Sequence, residues 1–121
     1  MSSNLLLSTS CLPYRGGKMS VLVEFAIFPT DKGESVSAYV SRVLRMFKEG
    51  EIPYRLTPMG TVFETETMDE ALGLIGKAYA ELAPDCRRVY VTATFDIRQG
   101  LSNRMEGKIA SIEEKIGKVA S

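Results

Sequence analysis

The order in which two hydrophobic periodicities follow one another limits this chain to few folds. Four segments have the alternation or the β-branched composition of strands: 20–28, 52–57, 61–66 and 89–97. Three segments have apolar residues every three or four positions, as amphipathic helices do: 34–49, 67–83 and 102–119. The resulting order is β-α-β-β-α-β followed by a helix. It predicts an α+β, ferredoxin-like fold, in which two helices cover one face of a four-stranded antiparallel sheet and a third helix is added at the C-terminus.

Short local signals predict where several of these elements begin and end. Thr67 and Glu70 fit the capping-box pattern, Gly50 is placed to end the first helix, and Ser102 is a candidate cap for the last one. Pro58-Met59-Gly60 is a turn that joins the second and third strands into a hairpin. We expect the helices to bury these apolar stripes: Val36, Val40, Val43, Leu44 and Phe47; Leu72, Ile75, Tyr79 and Leu82; Met105, Ile109, Ile112, Ile116 and Val119.

If the aliphatic rows of the strands face the helices, alternation assigns a mixed set of side chains to the opposite, open face of the sheet. Its polar members are Glu24, Arg55, Thr57, Glu64, Thr92, Thr94, Asp96 and Arg98. Its apolar members are Leu22, Ala26, Phe28, Val62 and Tyr90. A surface that mixes charged and apolar groups in this way is typical of an interface.

The charged residues of the open face have two interpretations. In the structural one, Glu24, Arg55, Glu64, Asp96 and Arg98 form cross-strand ion pairs that satisfy one another, as charges on strands usually do. In the functional one, a carboxylate faces a polar ligand that carries hydrogen-bond donors, such as an amino-heterocycle. The hydroxyls, thioether and glycine of residues 57–61 favour the functional interpretation slightly.

Composition argues against several classes of function. The chain has no histidine, which removes serine–histidine and cysteine–histidine nucleophiles and zinc sites built on imidazole. Fifteen Lys and Arg residues balance fifteen Asp and Glu residues, so the net charge provides no field for nucleic acid or anionic lipid. No apolar run approaches the roughly 20 residues that cross a bilayer. We therefore expect no catalysis, no metal site, no nucleic-acid partner and no membrane partner.

Residues 1–18 differ from the rest of the chain, and Leu5-Leu6-Leu7 superficially suggests a secretory segment. The apolar stretch is too short, however, and no positive charge precedes it. We interpret 1–18 as an extension upstream of a start at Met19, and expect one domain over 19–121 in a cytoplasmic protein. Cys11 and Cys86 form no CxxC pair. Cys86 is expected to be a buried hydrophobe, unless Arg87 and Arg88 favour its thiolate.

Residues spread along the chain resemble the small thiamine-binding, YkoF-like proteins. The most specific of them are Pro58-Met59-Gly60-Thr61 followed by Glu64. The others are Glu24, the segments 35–40, 88–90 and 112–116, Asp96 and Arg98. The resemblance covers Met19 to Lys118 in the right order and with similar spacing. It implies a ferredoxin-like fold, a homotetramer of dimers whose sheets pack together, and non-catalytic binding of thiamine or a related aminopyrimidine such as hydroxymethylpyrimidine.

The resemblance also implies a set of ligand-binding residues and two roles. The set is Ser37, Tyr39, Thr57, Met59, Gly60, Thr61, Glu64, Asp96 and Arg98. Glu64 would accept hydrogen bonds from the amino group or a protonated ring nitrogen of the pyrimidine, and the thioether of Met59 would pack on the rings. No cofactor is implied.

Three other functions compete with ligand binding. The first is a structural or regulatory homotetramer without a small-molecule ligand, in which the open face only holds subunits together. The second is acylphosphatase activity, which needs an arginine in the loop after the first strand, whereas residues 28–34 contain none. The third is RNA recognition, which needs stacking aromatics on the open face of the third strand. Phe63 is expected on the opposite face, beside two glutamates of the same strand.

Overall fold

The structure is a computed structural model that describes residues 19–100 and 104–120, apart from the side chain of residue 106. The strands are β1 (Met19–Pro29), β2 (Tyr54–Thr57), β3 (Gly60–Thr65) and β4 (Val89–Gln99). The helices are α1 (Ser37–Glu49), α2 (Met68–Leu82) and α3 (Arg104–Ile116). Ser102, Cys11 and residues 1–18, which carry some of the expectations above, lie outside the described residues.

The four strands form one antiparallel sheet in the order β2-β3-β1-β4, as the ferredoxin-like prediction requires. Its register confirms which residues share the open face, because directly paired residues point to the same side of a sheet. Leu22 pairs with Glu64 on one side and with Asp96 on the other. Glu24 lies between Val62 and Thr94 in the same way. The mixed charged and apolar face is therefore present as predicted.

The core lies between the opposite face of the sheet and the helices α1 and α2. Its strand residues are Val21, Val23, Phe25, Ile27 and Phe63, all buried. Phe25, Phe47 and Phe63 form an aromatic cluster, with ring centroids 5.1 to 5.9 Å apart. Phe47 is on α1, so this cluster attaches the helix to the two central strands and orients it over them.

The predicted stripe of α2 is right for Leu82 and in part for Ile75, which packs against the core, but wrong for Leu72 and Tyr79. The buried residues are Ala71, Leu74, Ala78 and Leu82, whereas Leu72 and Tyr79 are about half exposed. The physical reason is size: alanine at two contact positions lets the helix axis approach the sheet, and the larger side chains then lie on the flank. Hydrophobicity alone favoured the larger residues and did not predict this rotation.

The stripe of α3 is also less buried than predicted. Ile112 is 50% exposed and Ile116 is 72% exposed. The helix ends at Ile116, because Gly117 adopts a left-handed φ of 93°, so Val119 lies beyond the helix. On α1, Val43 and Phe47 are buried as expected, but Val36 is the residue before the first turn rather than part of the stripe.

The hairpin turn is tighter than the sequence suggested. Thr57 pairs with Gly60, so only Pro58 and Met59 lie between the strands. The strand β2 begins at Tyr54 rather than at residue 52, consistent with the missing N–H of Pro53. The capping box of α2 is confirmed: Thr67 accepts a hydrogen bond from the Glu70 backbone, and the Glu70 carboxylate accepts one from the backbone N–H of Thr67. Among the described residues, no helix is long and apolar enough to span a membrane.

Candidate functional site

The turn of the hairpin is held together by the hydroxyl of Thr57. Its Oγ1 accepts hydrogen bonds from the backbone N–H groups of Met59 at 3.2 Å and Gly60 at 3.1 Å, and donates one to the Gly60 carbonyl at 2.9 Å. A side chain that bonds its own turn in this way sets the loop geometry. The side chain of Met59 stands outside this bonded loop and is 83% exposed.

Gly60 and Thr61 contribute to packing at the same end of the sheet. A Cβ atom at Gly60 would lie 2.8 Å from the backbone carbonyl oxygen of Phe25, so only glycine permits this approach of β3 to β1. Thr61 pairs with Phe25 on the helix-facing side of the sheet and is only 6% exposed. Both residues were predicted to bind ligand, and the structure gives each of them a place in the strand packing.

Ser37 and Tyr39 lie in the first turn of α1. The carbonyl of Ser37 accepts a hydrogen bond from the Ser41 hydroxyl. The guanidinium of Arg42 lies 5.0 Å from the centre of the Tyr39 ring and is paired with Asp85 at 2.9 Å. One face of the tyrosine is therefore covered by a cation, an arrangement that stabilises the ring where it is.

Glu64 lies on the open face at the other end of β3 and binds the beginning of α3. Its Oε2 accepts hydrogen bonds from the Ser20 hydroxyl at 2.6 Å and from the Arg104 backbone N–H at 3.0 Å. Its Oε1 accepts one from the Met105 N–H at 3.3 Å. A carboxylate from a distant strand thus accepts hydrogen bonds from two N–H groups in the first turn of α3.

These contacts determine the charge of Glu64. Partial burial alone would raise its pKa, but the hydrogen bonds from Ser20, Arg104 and Met105, together with the positive charge of Arg104, outweigh that effect and lower the pKa. The carboxylate is therefore ionised at neutral pH, and both of its oxygens are used within the protein.

The side chain of Arg104 contacts both β1 and β4, next to the Glu64 carboxylate. It is 7% exposed, and its guanidinium donates hydrogen bonds to Ser20 Oγ, to the Ser20 carbonyl and to the Asp96 carbonyl. It also forms an ion pair with the Asp96 carboxylate at 3.0 Å, which Lys108 approaches at 3.6 Å. Asp96 is thus paired with α3 rather than with a neighbouring strand. The expected cross-strand pairing is wrong for this residue.

The structure divides the predicted ligand-binding residues between the two ends of the sheet. Thr57, Met59, Gly60 and Thr61 lie at the hairpin, with Ser37 and Tyr39 at the start of α1. Glu64 is four residues farther along β3 than Gly60, which corresponds to about 13 Å. Asp96 pairs with Leu22, and Arg98 pairs with Ser20, both at the Glu64 end. The predicted residues therefore form two separate groups within a single subunit.

Each end of the sheet has a cleft, and their linings differ. The hairpin cleft has a volume of about 250 Å³, and its lining has no charged side chain among the described residues. The cleft at the other end has a volume of about 670 Å³, lies between α2 and the ends of β1 and β3, and is called here the acidic cleft. Its charged residues are Glu51, Glu64, Glu66, Glu70 and Lys77, and its larger apolar residues are Met19, Ile52, Leu74 and Met105.

Cys86 is 6% exposed, and its burial, followed by the nearby charge of Asp85, raises the pKa of its thiol. The thiol is therefore neutral at physiological pH and weakly nucleophilic. The interpretation of Cys86 as a buried hydrophobe is confirmed.

Sequence reasoning missed the cluster around Glu64, namely Ser20 and Arg104, and most of the acidic cleft. The sequence held one signal for this cluster: strand alternation places the Ser20 hydroxyl on the open face, where it needs a hydrogen-bonding partner. Alternation along the strands does not tell where α3 packs, however. Arg104 could be predicted only from the knowledge that α3 begins on the open face. The sequence pattern predicts only local roles for Glu66 and Glu70, the first as the end of a strand and the second as part of a helix cap.

The chain matches the family model described as thiamine-binding protein over residues 23–113. It is 32% identical over 95 residues to a UPF0045 protein of Mycobacterium bovis, which covers 78% of this chain and 93% of the relative. It is 34% identical over 94 residues to a UPF0045 protein of Methanocaldococcus jannaschii, with the same coverage of 78% and 93%.

Solved structures share the fold. A crystal structure of a hypothetical protein from Methanocaldococcus jannaschii superposes with a TM-score of 0.69 at 34% identity, covering 78% of this chain and 97% of that one. A Thermotoga maritima protein, provisionally assigned to thiamine biosynthesis or salvage, has a TM-score of 0.60 at 18% identity and covers 77% of this chain and 98% of that one. The second likeness concerns the fold alone. From the family match and the relatives, we conclude that this chain belongs to the thiamine-binding protein family.

Proposed function

We propose that this protein binds thiamine or a related aminopyrimidine without catalysing a reaction on it, as a homo-oligomer that serves salvage, storage or sensing. The observation that carries the proposal is the composition of the acidic cleft. Four carboxylates face one ammonium there, next to the thioethers of Met19 and Met105. The membership of the chain in the thiamine-binding family supports the same ligand class.

The chemistry of the cleft suits an organic cation with a flat body. A thiazolium ring is permanently positive, and the amino group of an aminopyrimidine donates hydrogen bonds, so both are attracted by carboxylates. Methionine side chains are apolar and polarizable and pack well on aromatic rings. A pocket of several hundred Å³ with a few charged groups on apolar walls is typical of small-molecule sites.

We assign the direct polar contacts with the ligand to Glu66 and Glu51, both of which are exposed on the wall of the cleft. Glu64 and Glu70 already accept hydrogen bonds from backbone N–H groups. These two shape the cleft and contribute negative charge. The role assigned to Glu64 by resemblance, direct acceptance of a ligand hydrogen bond, is the alternative within this site.

Calorimetric titration with thiamine tests the proposal. We expect the wild type to bind and Glu66→Gln to bind about tenfold more weakly or worse, because a charge-assisted hydrogen bond contributes about 1.5 to 3 kcal/mol. Glu81→Gln is the matched control, since it removes an exposed carboxylate from the last turn of α2, outside the cleft. Absence of binding by the wild type contradicts the proposal, and equal binding by Glu66→Gln and Glu81→Gln contradicts the role assigned to Glu66.

Ligand binding by the hairpin residues stays a prediction, and a separate variant tests it. Met59→Ala removes an exposed thioether without touching the acidic cleft. If Met59→Ala loses thiamine binding while Glu66→Gln retains it, the ligand binds at the hairpin, as the resemblance implies for Thr57, Met59, Gly60 and Thr61. The reverse result assigns the ligand to the acidic cleft.

A structural or regulatory oligomer without a ligand is the second candidate function. The observation that favours it is that Thr57, Gly60 and Glu64 all have complete structural roles within the chain. Mass spectrometry of small molecules retained through native purification distinguishes the two functions. An aminopyrimidine at near one per subunit supports binding, and an empty protein supports the structural function.

A further inference from the structure

The first turn of α3 forms both an attachment to the sheet and a wall of the acidic cleft. The Glu64 carboxylate accepts hydrogen bonds from the backbone N–H groups of Arg104 and Met105 at 3.0 and 3.3 Å. Glu64 and the side chain of Met105 also line the acidic cleft. The same two residues therefore hold the helix on the sheet and contribute to the candidate ligand site.

The attachment of α3 is concentrated in this first turn. Arg104 is the one buried residue among the described side chains of the helix, and its guanidinium donates hydrogen bonds to Ser20 and to the Asp96 carbonyl. Farther along the helix, Ile112 and Ile116 are largely exposed. The helices α1 and α2, in contrast, bury apolar residues in the core. We therefore expect α3 to detach from the sheet more readily than the rest of the fold opens.

Detachment of α3 would change the acidic cleft in two opposing ways. The thioether of Met105 would leave the wall, so a flat ligand would lose an apolar surface on which to pack. The oxygens of Glu64 would lose the backbone donors of α3 and become free to accept hydrogen bonds from the ligand. The first change favours binding with α3 attached, and the second favours binding with α3 detached.

The contacts of Arg104 decide between these two effects. A ligand that displaces α3 can replace the hydrogen bonds to Glu64 with its own. It supplies nothing in place of the ion pair between Arg104 and Asp96 at 3.0 Å, or of the hydrogen bonds from Arg104 to Ser20. Because Arg104 is buried, these charge-assisted contacts are stronger than exposed ones. The complex with α3 attached is therefore expected to be the more stable one.

We propose that ligand binding in the acidic cleft and attachment of α3 are coupled, so that an occupied cleft holds the helix on the sheet and an empty cleft releases it more often. The inference rests on the proposed function and assigns sensing within it, because occupancy of the cleft changes the position of the C-terminal helix. Arg104 is a positioning residue: it holds Met105 at the cleft without lining the cleft itself. The coupling is reciprocal, so weaker attachment of α3 weakens ligand binding.

Hydrogen exchange of the full chain with and without thiamine tests the coupling. At a thiamine concentration about ten times the dissociation constant, exchange of the α3 amides is expected to slow by up to about tenfold, if the detached state does not bind. The amides of α1, compared at the same short exchange times, are expected to change little. Thiamine binding without slower exchange in α3 overturns the coupling and leaves the proposed function intact. Faster exchange in α3 also overturns it, because the ligand then takes Glu64 from the helix. Absence of binding contradicts the proposed function and the coupling together.

Arg104→Ala tests the coupling from the side of the helix, with calorimetry as the measurement. Loss of a positive charge near the carboxylates, acting through electrostatics alone, would raise the affinity for a cationic ligand. The coupling predicts the opposite sign: the dissociation constant for thiamine is expected to rise by about tenfold, because the attached state becomes the minor one. Arg104→Lys keeps a cation that donates hydrogen bonds and is expected to recover part of the affinity.

Lys108→Ala is the matched control, because it removes the same charge from an exposed residue of α3 that does not line the cleft. Its affinity for thiamine is expected to stay that of the wild type or to rise slightly. If circular dichroism shows that Arg104→Ala does not fold, Ser20→Ala replaces it, since Ser20 donates to Glu64 and accepts from Arg104. Wild-type affinity in the Arg104 or Ser20 variant overturns the proposal, as does an equal loss of affinity in Lys108→Ala.

Discussion

At the scale of single residues, Glu64 determines how α3 is attached to the sheet. It accepts hydrogen bonds from Ser20 and from two backbone N–H groups of the helix. Replacing it by glutamine removes the charge and at least one acceptor. We expect Glu64→Gln to lower the free energy of unfolding by about 1 to 3 kcal/mol. Urea unfolding measures this loss, and Glu81→Gln, a substitution of an exposed residue, is expected to change little.

The same residue predicts a pH dependence. Because the pKa of Glu64 is lower in the folded state than in the unfolded chain, its contribution to stability is present above the unfolded value of about 4.3 and is lost as the pH falls through the folded value. The stability difference between wild type and Glu64→Gln is therefore largest near neutral pH and shrinks in acid. A difference that grows in acid contradicts this assignment. Ser20→Ala, which removes one of the donors, is expected to show a weaker form of the same dependence.

Gly60 is required by the approach of β3 to β1. Gly60→Ala places a Cβ against a backbone oxygen that has little freedom to move, and we expect a loss of about 1 to 3 kcal/mol. Gly76→Ala is the matched control: it lies within α2 with open space around it, and alanine is the better helix former by about 0.5 to 1 kcal/mol. The two substitutions are thus expected to have opposite signs in thermal or urea unfolding. The same sign for both contradicts the steric argument.

At the scale of elements, α2 shows what a local signal predicts and what it does not. The capping box at Thr67 and Glu70 is local and is confirmed, because cap and helix are adjacent in sequence. The buried face of the helix is not local. It depends on how closely the helix approaches the sheet, and the alanines at 71 and 78 decide that distance.

The cap of α2 gives a prediction at this scale. Thr67→Ala removes the hydroxyl that accepts from the Glu70 N–H and is expected to cost about 1 kcal/mol, whereas Thr67→Ser keeps the acceptor and is expected to cost less. Urea unfolding of the two variants compares them directly. Equal losses indicate that the methyl group of Thr67, and not its hydroxyl, stabilises this end of the helix.

At the scale of the whole molecule, the proposed homo-oligomer links stability to association. Mass action stabilises the folded state of subunits that associate, so the melting temperature rises with protein concentration. We expect an increase of several degrees between low and high micromolar concentration for the wild type. A concentration-independent melting temperature argues against an obligate oligomer.

The sequence by itself determined the element order, the fold class and the composition of the open face. These properties follow from periodicity and from chemistry between near neighbours, such as the alternation along β1 and the cap at Thr67. The candidate ligand residues were chosen by their spacing along the chain, and the structure distributes them between two ends of the sheet. Only the tertiary structure decided that Glu64 binds α3, that the acidic cleft forms between α2 and the strand ends, and that Val91 and Ile97 of β4 stay partly exposed. Each of these depends on where one element comes to rest against another, because contacts between distant parts of the chain have no local pattern from which to predict them.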